Sequence, residues 1–251
     1  MQFRIRTQLV KVNVGDRAAL MDRVRARLTA GQGFALATLN LDHLVKLHRS
    51  PVFRAAYAAQ DLVVADGHPV VWLSRLAHRP VHLVPGSDLV VPLVAEAARA
   101  RVPVALVGST EAALQATAQA LHLAVPGVDI ALRCAPPMGF DPEGPEARLL
   151  LADLTAHGIG LCLLALGAPK QEIFAARGRS LAPTVGFASV GAGLDFLAGS
   201  QTRAPFWMQR LALEWLWRMG ADPRRMIPRY AACAALLPVL AVDALRQRQT
   251  R

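Results

Sequence analysis

The sequence has 251 residues, of which 53% are hydrophobic and 18% are charged. This length and composition exclude an intrinsically disordered chain and suit one large α/β domain, alone or with a small appendage. The formal net charge of +10 comes almost entirely from arginine, whose planar donors suit phosphate oxygens, so it points to nucleic acid, anionic lipid or a phosphorylated substrate.

The N-terminal residues and the cysteines indicate a cytoplasmic protein. Residues 1–17 lack the apolar core of a signal peptide. Cys134, Cys162 and Cys233 have neither metal-ligand spacing nor the pattern of a disulfide framework. The most apolar stretch, residues 231–242, is shorter than the ~18 apolar residues of a membrane span. We therefore expect no membrane span, no metal site and no cofactor.

Short apolar runs alternate with helical patterns along most of the chain, which predicts an α/β fold with a Rossmann-like, mostly parallel sheet flanked by helices. The predicted strands are residues 34–39, 62–65, 102–107, 128–133, 159–166 and 184–190. The clearest predicted helices are residues 87–100, 110–123, 143–156 and 169–181. Because ligands bind such sheets at the carboxyl ends of the strands, residues there are the strongest candidates for a site.

Polar residues close the first two of these strands. Asp66 follows the strand at residues 62–65 and precedes Gly67, so a rigidly held carboxylate would lie where a substrate can approach closely. Thr38 and Asn40 end the strand before it, and their side chains suit sugar hydroxyls. For Asp66, Thr38 and Asn40 alike, helix capping is the structural alternative.

The later strand ends contain glycines and one conspicuous basic motif. The segment from Gly167 to Glu172 reads Gly-Ala-Pro-Lys-Gln-Glu and places Lys170 and Gln171 at a helix N-terminus, which attracts anions. A diphosphate fits Lys170 there, although a solvated lysine is the alternative. Gly86 and Gly191 mark weaker turn motifs that lead to Asp88 and Asp195, and Gly108 ends a strand just before the next helix. None of these completes a dinucleotide-binding fingerprint, since the third glycine is absent after Gly191.

The chain changes character after residue 199. Residues 201–251 contain nine arginines against three acidic residues, and three of the four tryptophans. We expect a core over residues 1–199 and a basic appendage of two or three helices over 200–251. One helix is predicted at residues 205–219 and, after a turn through Gly220 and Pro223, another toward residue 246. These arginines can clamp a pyrophosphate or contact anionic lipid, and a solvated basic face is the alternative.

The order of these motifs resembles the WecG/TagA/CpsF family, glycosyltransferase family 26, from about residue 35 to 230. Its most specific segments are Pro-Lys-Gln-Glu at residues 169–172 and Leu-Glu-Trp at residues 213–215. Other matching segments are Asp-Gly at 66–67, Arg-Ala-Pro at 203–205 and Pro-Arg-Arg at 223–225. This chain departs from the family where Ala65 precedes the Asp-Gly pair and where Pro228 precedes Arg229.

The resemblance implies an inverting, metal-independent hexosyltransferase that moves a sugar from a UDP-sugar to an undecaprenyl-diphosphate-linked sugar acceptor. It implies Asp66 as the base, Thr38 and Gln171 as substrate contacts, and Arg218 and Arg225 as ligands of the donor diphosphate. The remaining candidate substrate-binding residues are Asn40, Gly67, Gly86, Asp88, Gly108, Lys170, Glu172, Gly191, Asp195 and Arg229.

The resemblance also implies a place and a role in the cell. The product belongs to a cell-surface polysaccharide or teichoic-acid-type polymer, and the protein associates peripherally with the anionic inner face of the plasma membrane. The donor sugar stays open between N-acetylmannosamine, its uronic acid and glucose, and homo-oligomer formation stays open as well. Two rival classes are a basic nucleic-acid-binding protein, which lacks a known motif here, and a nucleotide-sugar-modifying enzyme, which would need a complete glycine fingerprint.

Overall fold

The computed structural model describes residues 1–249. Its core is a sheet of six parallel strands in the order β4-β3-β8-β7-β5-β6. The strands are β3 (Phe34–Leu39), β4 (Leu62–Ala65), β5 (Val104–Gly108), β6 (Ile130–Cys134), β7 (Leu161–Ala165) and β8 (Gly186–Ser189). All six predicted strands are present, and the Rossmann-like α/β class is confirmed.

A hairpin that the sequence analysis did not predict precedes the sheet. It pairs β1 (Gln2–Ile5) with β2 (Gln8–Lys11) in antiparallel register. Its inward residues Phe3, Ile5 and Val10 are buried. They pack in the same apolar cluster as Leu39 of β3, so the hairpin covers part of one face of the main sheet.

Helices cover both faces of the sheet. They are α1 (Arg17–Thr29), α2 (Leu41–Arg49), α3 (Pro51–Ala58), α4 (His68–Leu76), α5 (Val90–Ala100), α6 (Glu111–Ala124), α7 (Pro145–Ala156), α8 (Lys170–Leu181), α9 (Gly193–Leu197), α10 (Phe206–Arg210), α11 (Glu214–Ala221) and α12 (Pro223–Gln249). A 3-10 turn at Gly86–Asp88 precedes α5, so that helix begins later than the sequence pattern predicts.

The alternation of side chains along β3 shows how the two faces are filled. Leu36 packs in one cluster with residues of α1, α5 and α6. On the opposite face, Ala35 packs with residues of α7 and α8, whereas Ala37 and Leu39 pack with residues of α2, α3 and α4. Since successive strand residues point to opposite faces, a strand buried on both sides is apolar throughout.

The C-terminal segment folds back onto the core. The predicted helix at residues 205–219 is wrong, because α10 and α11 are separated by Ala212 in the left-handed region at φ 60°. The long α12 packs beside α2, α4 and β1. Its residues Leu240 and Ala244 are buried in the apolar cluster that contains Leu39. The end of the chain therefore stabilises the same side of the sheet as the N-terminal hairpin.

Helix α12 also revises the expectation of no membrane-crossing segment. Among residues 1–249, it is the one helix that is long and apolar enough to cross a membrane by length and composition alone. The uninterrupted apolar run is short, as the sequence indicated, but the helix continues well beyond it on both sides. Only 17% of its most apolar window is buried inside the protein, which leaves a large apolar surface exposed.

Candidate active site

Asp66 and Asn40 meet at the carboxyl edge of the sheet because β3 and β4 are parallel neighbours. Leu39 and Ala65 are register partners at the ends of these strands. The Asp66 amide donates a hydrogen bond of 2.8 Å to the Leu39 carbonyl oxygen. The strand ends therefore place the Asp66 carboxylate beside the Asn40 side chain, which interacts with it.

The capping alternative applies to one of these polar residues and not to the others. Asn40 caps α2, because its side-chain oxygen accepts a 3.0 Å hydrogen bond from the His43 amide. The cap residue of α4 is Gly67, and no side chain caps that helix. Asp66 is thus not a helix cap, and Thr38 lies within β3 with 4% of its surface exposed. Helix capping therefore does not explain why an aspartate follows β4 at position 66.

The electrostatic setting of Asp66 favours a carboxyl group that gains a proton easily. Asp66 keeps some solvent contact, yet its carboxyl group is densely surrounded by protein atoms. This burial raises the pKa of Asp66 to about 6, and Glu214 and Asp88 add to the rise. The Arg218 charge opposes it more strongly than any other neighbouring group. Such a pKa lies near the pH at which a general base works best.

Two glycines shape the approach to Asp66. Gly67 has φ +101°, a backbone conformation that residues other than glycine rarely adopt. At Gly86, an added Cβ would lie 3.3 Å from Thr38 Oγ1 and 3.1 Å from the Val190 carbonyl oxygen. A side chain at this position would require these neighbours to shift by a few tenths of an ångström, so glycine allows the 3-10 turn to lie close against β3.

Helix α11 completes the surroundings of Asp66 from the C-terminal segment. Arg203 donates from Nη1 to Asp88 Oδ1, and its Nε lies 3.6 Å from Glu214 Oε1. The same glutamate oxygen lies 4.0 Å from Arg218 Nη2. The Arg218 guanidinium also lies above the Phe196 ring, 6.0 Å from its centroid. Charges from the 3-10 turn and α11 thus converge near the ends of β3 and β4.

A second group of candidate residues lies at the ends of β5 and β8. Gly108 ends β5 so close to β7 that an added Cβ would lie 2.4 Å from the Ala165 carbonyl carbon. The Ser109 hydroxyl donates to the Asp195 carboxylate, and Gln201 Nε2 donates to its other oxygen at 3.1 Å. Gly191 follows β8 with φ +56° and leads to α9, which contains Asp195.

This second group lies at the point in the sheet where the strand order reverses. From β5 the chain continues to β6 at one edge, whereas from β7 it continues to β8 on the opposite side. Ligands of open α/β sheets bind in the crevice outside such a point. The ends of β5 and β7 are therefore a second place at which a ligand can bind.

The Pro-Lys-Gln-Glu motif divides into one accessible and two buried residues. Lys170 is the first residue of α8 and is half-buried, and its ammonium group makes no ion pair within residues 1–249. Gln171 and Glu172 are 3% and 0% exposed. Gln171 Nε2 donates a 2.9 Å hydrogen bond to Glu172 Oε1, and no partner among the described residues reaches Gln171 Oε1. Glu172 thus orients the Gln171 amide from inside the protein.

A buried polar pair that the sequence analysis missed, His43 and Tyr57, includes a hydroxyl on which the Glu172 charge acts. His43 Nδ1 and the Tyr57 hydroxyl are hydrogen-bonded at 2.7 Å, and both residues are buried. Burial lowers the pKa of His43 to about 3, so this histidine is neutral at physiological pH. Burial raises the pKa of Tyr57, and the charges of Glu172 and Asp66 raise it further. Tyr57 therefore lies where both carboxylates act on it.

Arg229 and Arg225, the other two candidate arginines of the C-terminal segment, have different surroundings. Arg229 lies 2.9 Å from Asp42 Oδ2, and the same carboxylate also binds Lys46 at 2.9 Å. Arg229 therefore anchors α12 on α2. Arg225 is exposed near the start of α12, and its side chain has no ion-pair partner in the described part of the chain. Of the three candidate arginines of the tail, Arg218 is the one whose charge acts on Asp66.

Some residues of the site escaped the sequence analysis as participants. Arg203 was considered only as one of the tail arginines that can clamp a pyrophosphate, and Glu214 only as part of a matching motif. The pairing of Arg203 with Asp88 joins parts of the chain 115 residues apart. A local signal existed for Glu214, since a glutamate four residues before an arginine on a helix is a favourable pair. For Tyr57 and His43 the signal was weak, because buried polar residues on amphipathic helices read as ordinary core positions.

We predict that Glu172→Gln removes a pH-dependent loss of stability. Burial raises the pKa of Glu172 to about 7 from its ordinary value of 4.5. Between these values the folded chain holds a proton that the unfolded chain has lost, so the free energy of unfolding falls as the pH rises. Relative to wild type, the variant should gain up to about 3 kcal/mol between pH 4.5 and 8.

Urea unfolding at pH 5 and pH 8 measures this effect. Glu146→Gln is the matched control, because Glu146 is exposed on α7. It should follow the wild-type pH dependence. The same pH dependence in Glu172→Gln and wild type would show that Glu172 is ionised in the folded protein at neutral pH.

The chain matches the sequence model of the glycosyl transferase WecG/TagA/CpsF family over residues 6–251. The match includes the hairpin from Arg6 onward, the whole parallel sheet and the helices of the C-terminal segment. It therefore covers both groups of residues at the strand ends and the α11 residues that approach Asp66.

Proposed function

Because the chain belongs to the WecG/TagA/CpsF family, and is therefore a glycosyltransferase of cell-surface polymer synthesis, we propose that it transfers a hexose from a UDP-sugar to a polyprenyl-diphosphate-linked sugar. The observation that carries this proposal is the carboxyl group of Asp66. It lies at the strand ends with a pKa raised by burial, and the Arg218 charge acts on it.

The proposed reaction is a single displacement with inversion at the anomeric carbon. The acceptor hydroxyl oxygen forms the new glycosidic bond while the bond to the UDP oxygen breaks. Asp66 takes the proton of that hydroxyl, and UDP leaves with the electron pair of the broken bond. A positioned base of this kind typically contributes ~10²- to 10⁴-fold in rate.

Arginine supplies the positive charge that the leaving diphosphate needs. Arg218 is 44% exposed at its side chain and has one long ion-pair contact, so its donors are accessible to a ligand. Arg225 and Lys170 provide further cationic groups without ion-pair partners among residues 1–249. Arg229 already binds the buried Asp42, and we assign it to anchoring α12. Preorganised donors of this type stabilise the charge that develops in the transition state.

We place the two substrates at the two groups of strand ends. The UDP-sugar occupies the crevice outside β5 and β7, where Gly108 and Gly191 permit close backbone approach. The acceptor hydroxyl lies beside Asp66, with Thr38 and Asn40 next to it. The reason for this placement is that the strand order reverses between β5 and β7. Nucleotides bind outside such a point in sheets of this kind.

A UDP-release assay tests the proposed function. The full chain is incubated with a panel of UDP-sugars and a short-chain lipid diphosphate that carries the acceptor sugar, with and without excess chelator. Acceptor-dependent UDP release from one donor, unaffected by the chelator, supports the proposal. No release from any donor, or release that requires an added divalent metal, contradicts it. Binding of a generic DNA duplex at low salt would instead favour the nucleic-acid alternative.

We further propose that residues 200–251 form a basic appendage that docks the protein on the inner face of the plasma membrane. The outward face of α12 carries apolar residues at helical spacing, and all of them are exposed: Ile227, Ala231, Ala235, Pro238, Val242 and Leu245. The inward face of the same helix is packed on the core. A helix held in this way lies along the membrane interface and does not cross the bilayer.

We predict that Ile227→Ser/Val242→Ser/Leu245→Ser lowers binding to anionic vesicles at least tenfold. Burial of each apolar side chain in lipid contributes up to about 1.5–3 kcal/mol, and the tail arginines add salt-sensitive attraction. Co-sedimentation with phosphatidylglycerol vesicles measures the bound fraction at low and high salt.

The matched control is Leu123→Ser/Met138→Ser/Leu149→Ser, because these side chains are at least as exposed but lie outside the appendage. The control should bind vesicles like wild type. Equal binding by both triple variants would remove the outward face of α12 from the docking surface. If the wild-type chain ignores anionic vesicles at low salt, the docking proposal fails altogether.

A further inference from the structure

Arg203 joins two parts of the protein that both lie near Asp66. Its Nη1 donates to Asp88 at the end of the 3-10 turn, and its Nε lies 3.6 Å from Glu214 Oε1 at the start of α11. Its side chain is 29% exposed, so the guanidinium lies between the two elements and keeps partial contact with solvent. One side chain thus spans from the edge of the core to the appendage.

The chain of charges continues from Glu214 to Arg218. These residues are four positions apart on α11, and Glu214 Oε1 lies 4.0 Å from Arg218 Nη2. Arg218 is the strongest of the neighbouring charges that act on Asp66, and Glu214 and Asp88 also act on it. Arg203 therefore contacts Asp88 and Glu214, the two carboxylates whose charges act on Asp66. Through Glu214 it is also linked to Arg218.

Helix α11 is held by contacts of its surface side chains and not by buried residues of its own. It has eight residues, none of them buried, and no side-chain hydrogen bond caps its N-terminus. It follows Ala212, which has a positive φ of 60°. A helix this short is not stable by itself in water. A hydrogen bond from Trp217 Nε1 to the Thr202 carbonyl oxygen, at 3.3 Å, ends next to Arg203. The Trp215 ring also meets the Tyr230 ring edge-on, and the Arg218 guanidinium lies above the Phe196 ring.

We propose that Arg203 is a positioning residue that, through Glu214, holds α11 so that Arg218 faces Asp66. The kinetic part of this inference rests on the proposed transfer reaction, whereas the structural part concerns the protein without ligand. Because Arg203 already engages two carboxylates, it acts through Arg218 and does not itself bind the substrate.

The structural part is tested on the ligand-free full chain by ¹³C NMR titration of labelled aspartate carboxyl groups, with Asp66 identified from Asp66→Asn. Arg218 is the cation whose charge lowers the pKa of Asp66 most, so Arg218→Gln should raise that pKa. Arg203→Gln should raise it in the same direction. The double variant should show no larger shift than Arg218→Gln, because a residue that acts through another is not additive with it.

The kinetic part uses the same variants in the UDP-release assay. We expect Arg203→Gln to lower kcat by ~10- to 100-fold, the range expected when a reacting group is misplaced by about 1 Å. The acidic limb of the pH profile should move to higher pH, and combination with Arg218→Gln should bring no further loss. Arg148→Gln is the control, because Arg148 is exposed on α7 and far along the chain from these charges.

Arg203→Lys is a second, more conservative variant that keeps the inference testable if Arg203→Gln misfolds. Circular dichroism checks that both variants are folded. Lysine keeps the charge but cannot present two donors in a fixed fork, so it should give a smaller shift in the same direction. An unchanged Asp66 titration in Arg203→Gln, or additive effects with Arg218→Gln, overturns the inference. If the titration behaves as expected but no UDP-sugar is consumed by wild type, the proposed function fails and the positioning role of Arg203 stands.

Discussion

Asp66→Asn is expected to lower kcat by about 100- to 10,000-fold and to leave binding of the UDP-sugar nearly intact. Asparagine keeps the shape of the side chain but cannot accept the proton of the acceptor hydroxyl. The neighbouring Asn40 and Gly67 are not changed by this substitution, so the geometry of the strand ends should persist.

The pH profile provides an independent view of the same group. The base must be ionised to accept a proton, and burial raises the pKa of Asp66 to about 6. The value of kcat/KM for wild type should therefore be half-maximal near pH 6 and fall about tenfold for each pH unit below it. This acidic limb should disappear in Asp66→Asn.

Steady-state UDP release and calorimetric titration with the UDP-sugar measure the two quantities separately. Asp129→Asn is the matched control, because Asp129 is exposed and lies just before β6, at the opposite end of that strand from the site. The control should retain the wild-type rate. A rate for Asp66→Asn within about threefold of wild type would remove Asp66 from the role of base.

Arg218→Gln is expected to lower kcat by about 100-fold, the lower end of what loss of one preorganised donor costs at a developing charge. Two effects combine in this variant. The departing diphosphate loses a cationic donor, and Asp66 loses the opposite charge that lowers its pKa. Because an unopposed burial effect raises that pKa, the acidic limb of the pH profile should move to higher pH.

The two effects can be separated by assaying Arg218→Gln at pH 8.5, where Asp66 is ionised in either protein. A deficit that persists at this pH reports the donor role of Arg218. Full recovery of the rate would mean that Arg218 only tunes Asp66. Arg148→Gln serves again as the control, and it should match wild type at every pH.

Local pattern was sufficient to predict most of the sheet and the residues at which its strands end. Apolar runs that end in glycine or a polar residue predicted all six parallel strands, since a strand buried on both faces must be apolar throughout. For the same reason Asp66 and Asn40 were placed correctly at strand ends, because β3 and β4 need only be adjacent and parallel for these residues to meet.

The C-terminal segment was predicted less well because its conformation depends on what it packs against. The single predicted helix at residues 205–219 is two helices, interrupted by Ala212 at a positive φ that nothing in the local sequence indicates. Helix α12 contains Pro228 and Pro238, which argue against a helix in isolation, yet burial of residues such as Leu240 against the core stabilises it.

The sequence by itself determined the α/β class, the strand ends and, through the order of its motifs, the family. Only the tertiary structure decided which charges act on Asp66. The ion pair of Arg203 with Asp88 and the action of the Arg218 charge on Asp66 join segments far apart in the chain, and such contacts leave no periodic signal in the sequence. Burial decided the rest, because the pKa of a carboxyl group depends on the surrounding protein and not on its neighbours in the chain.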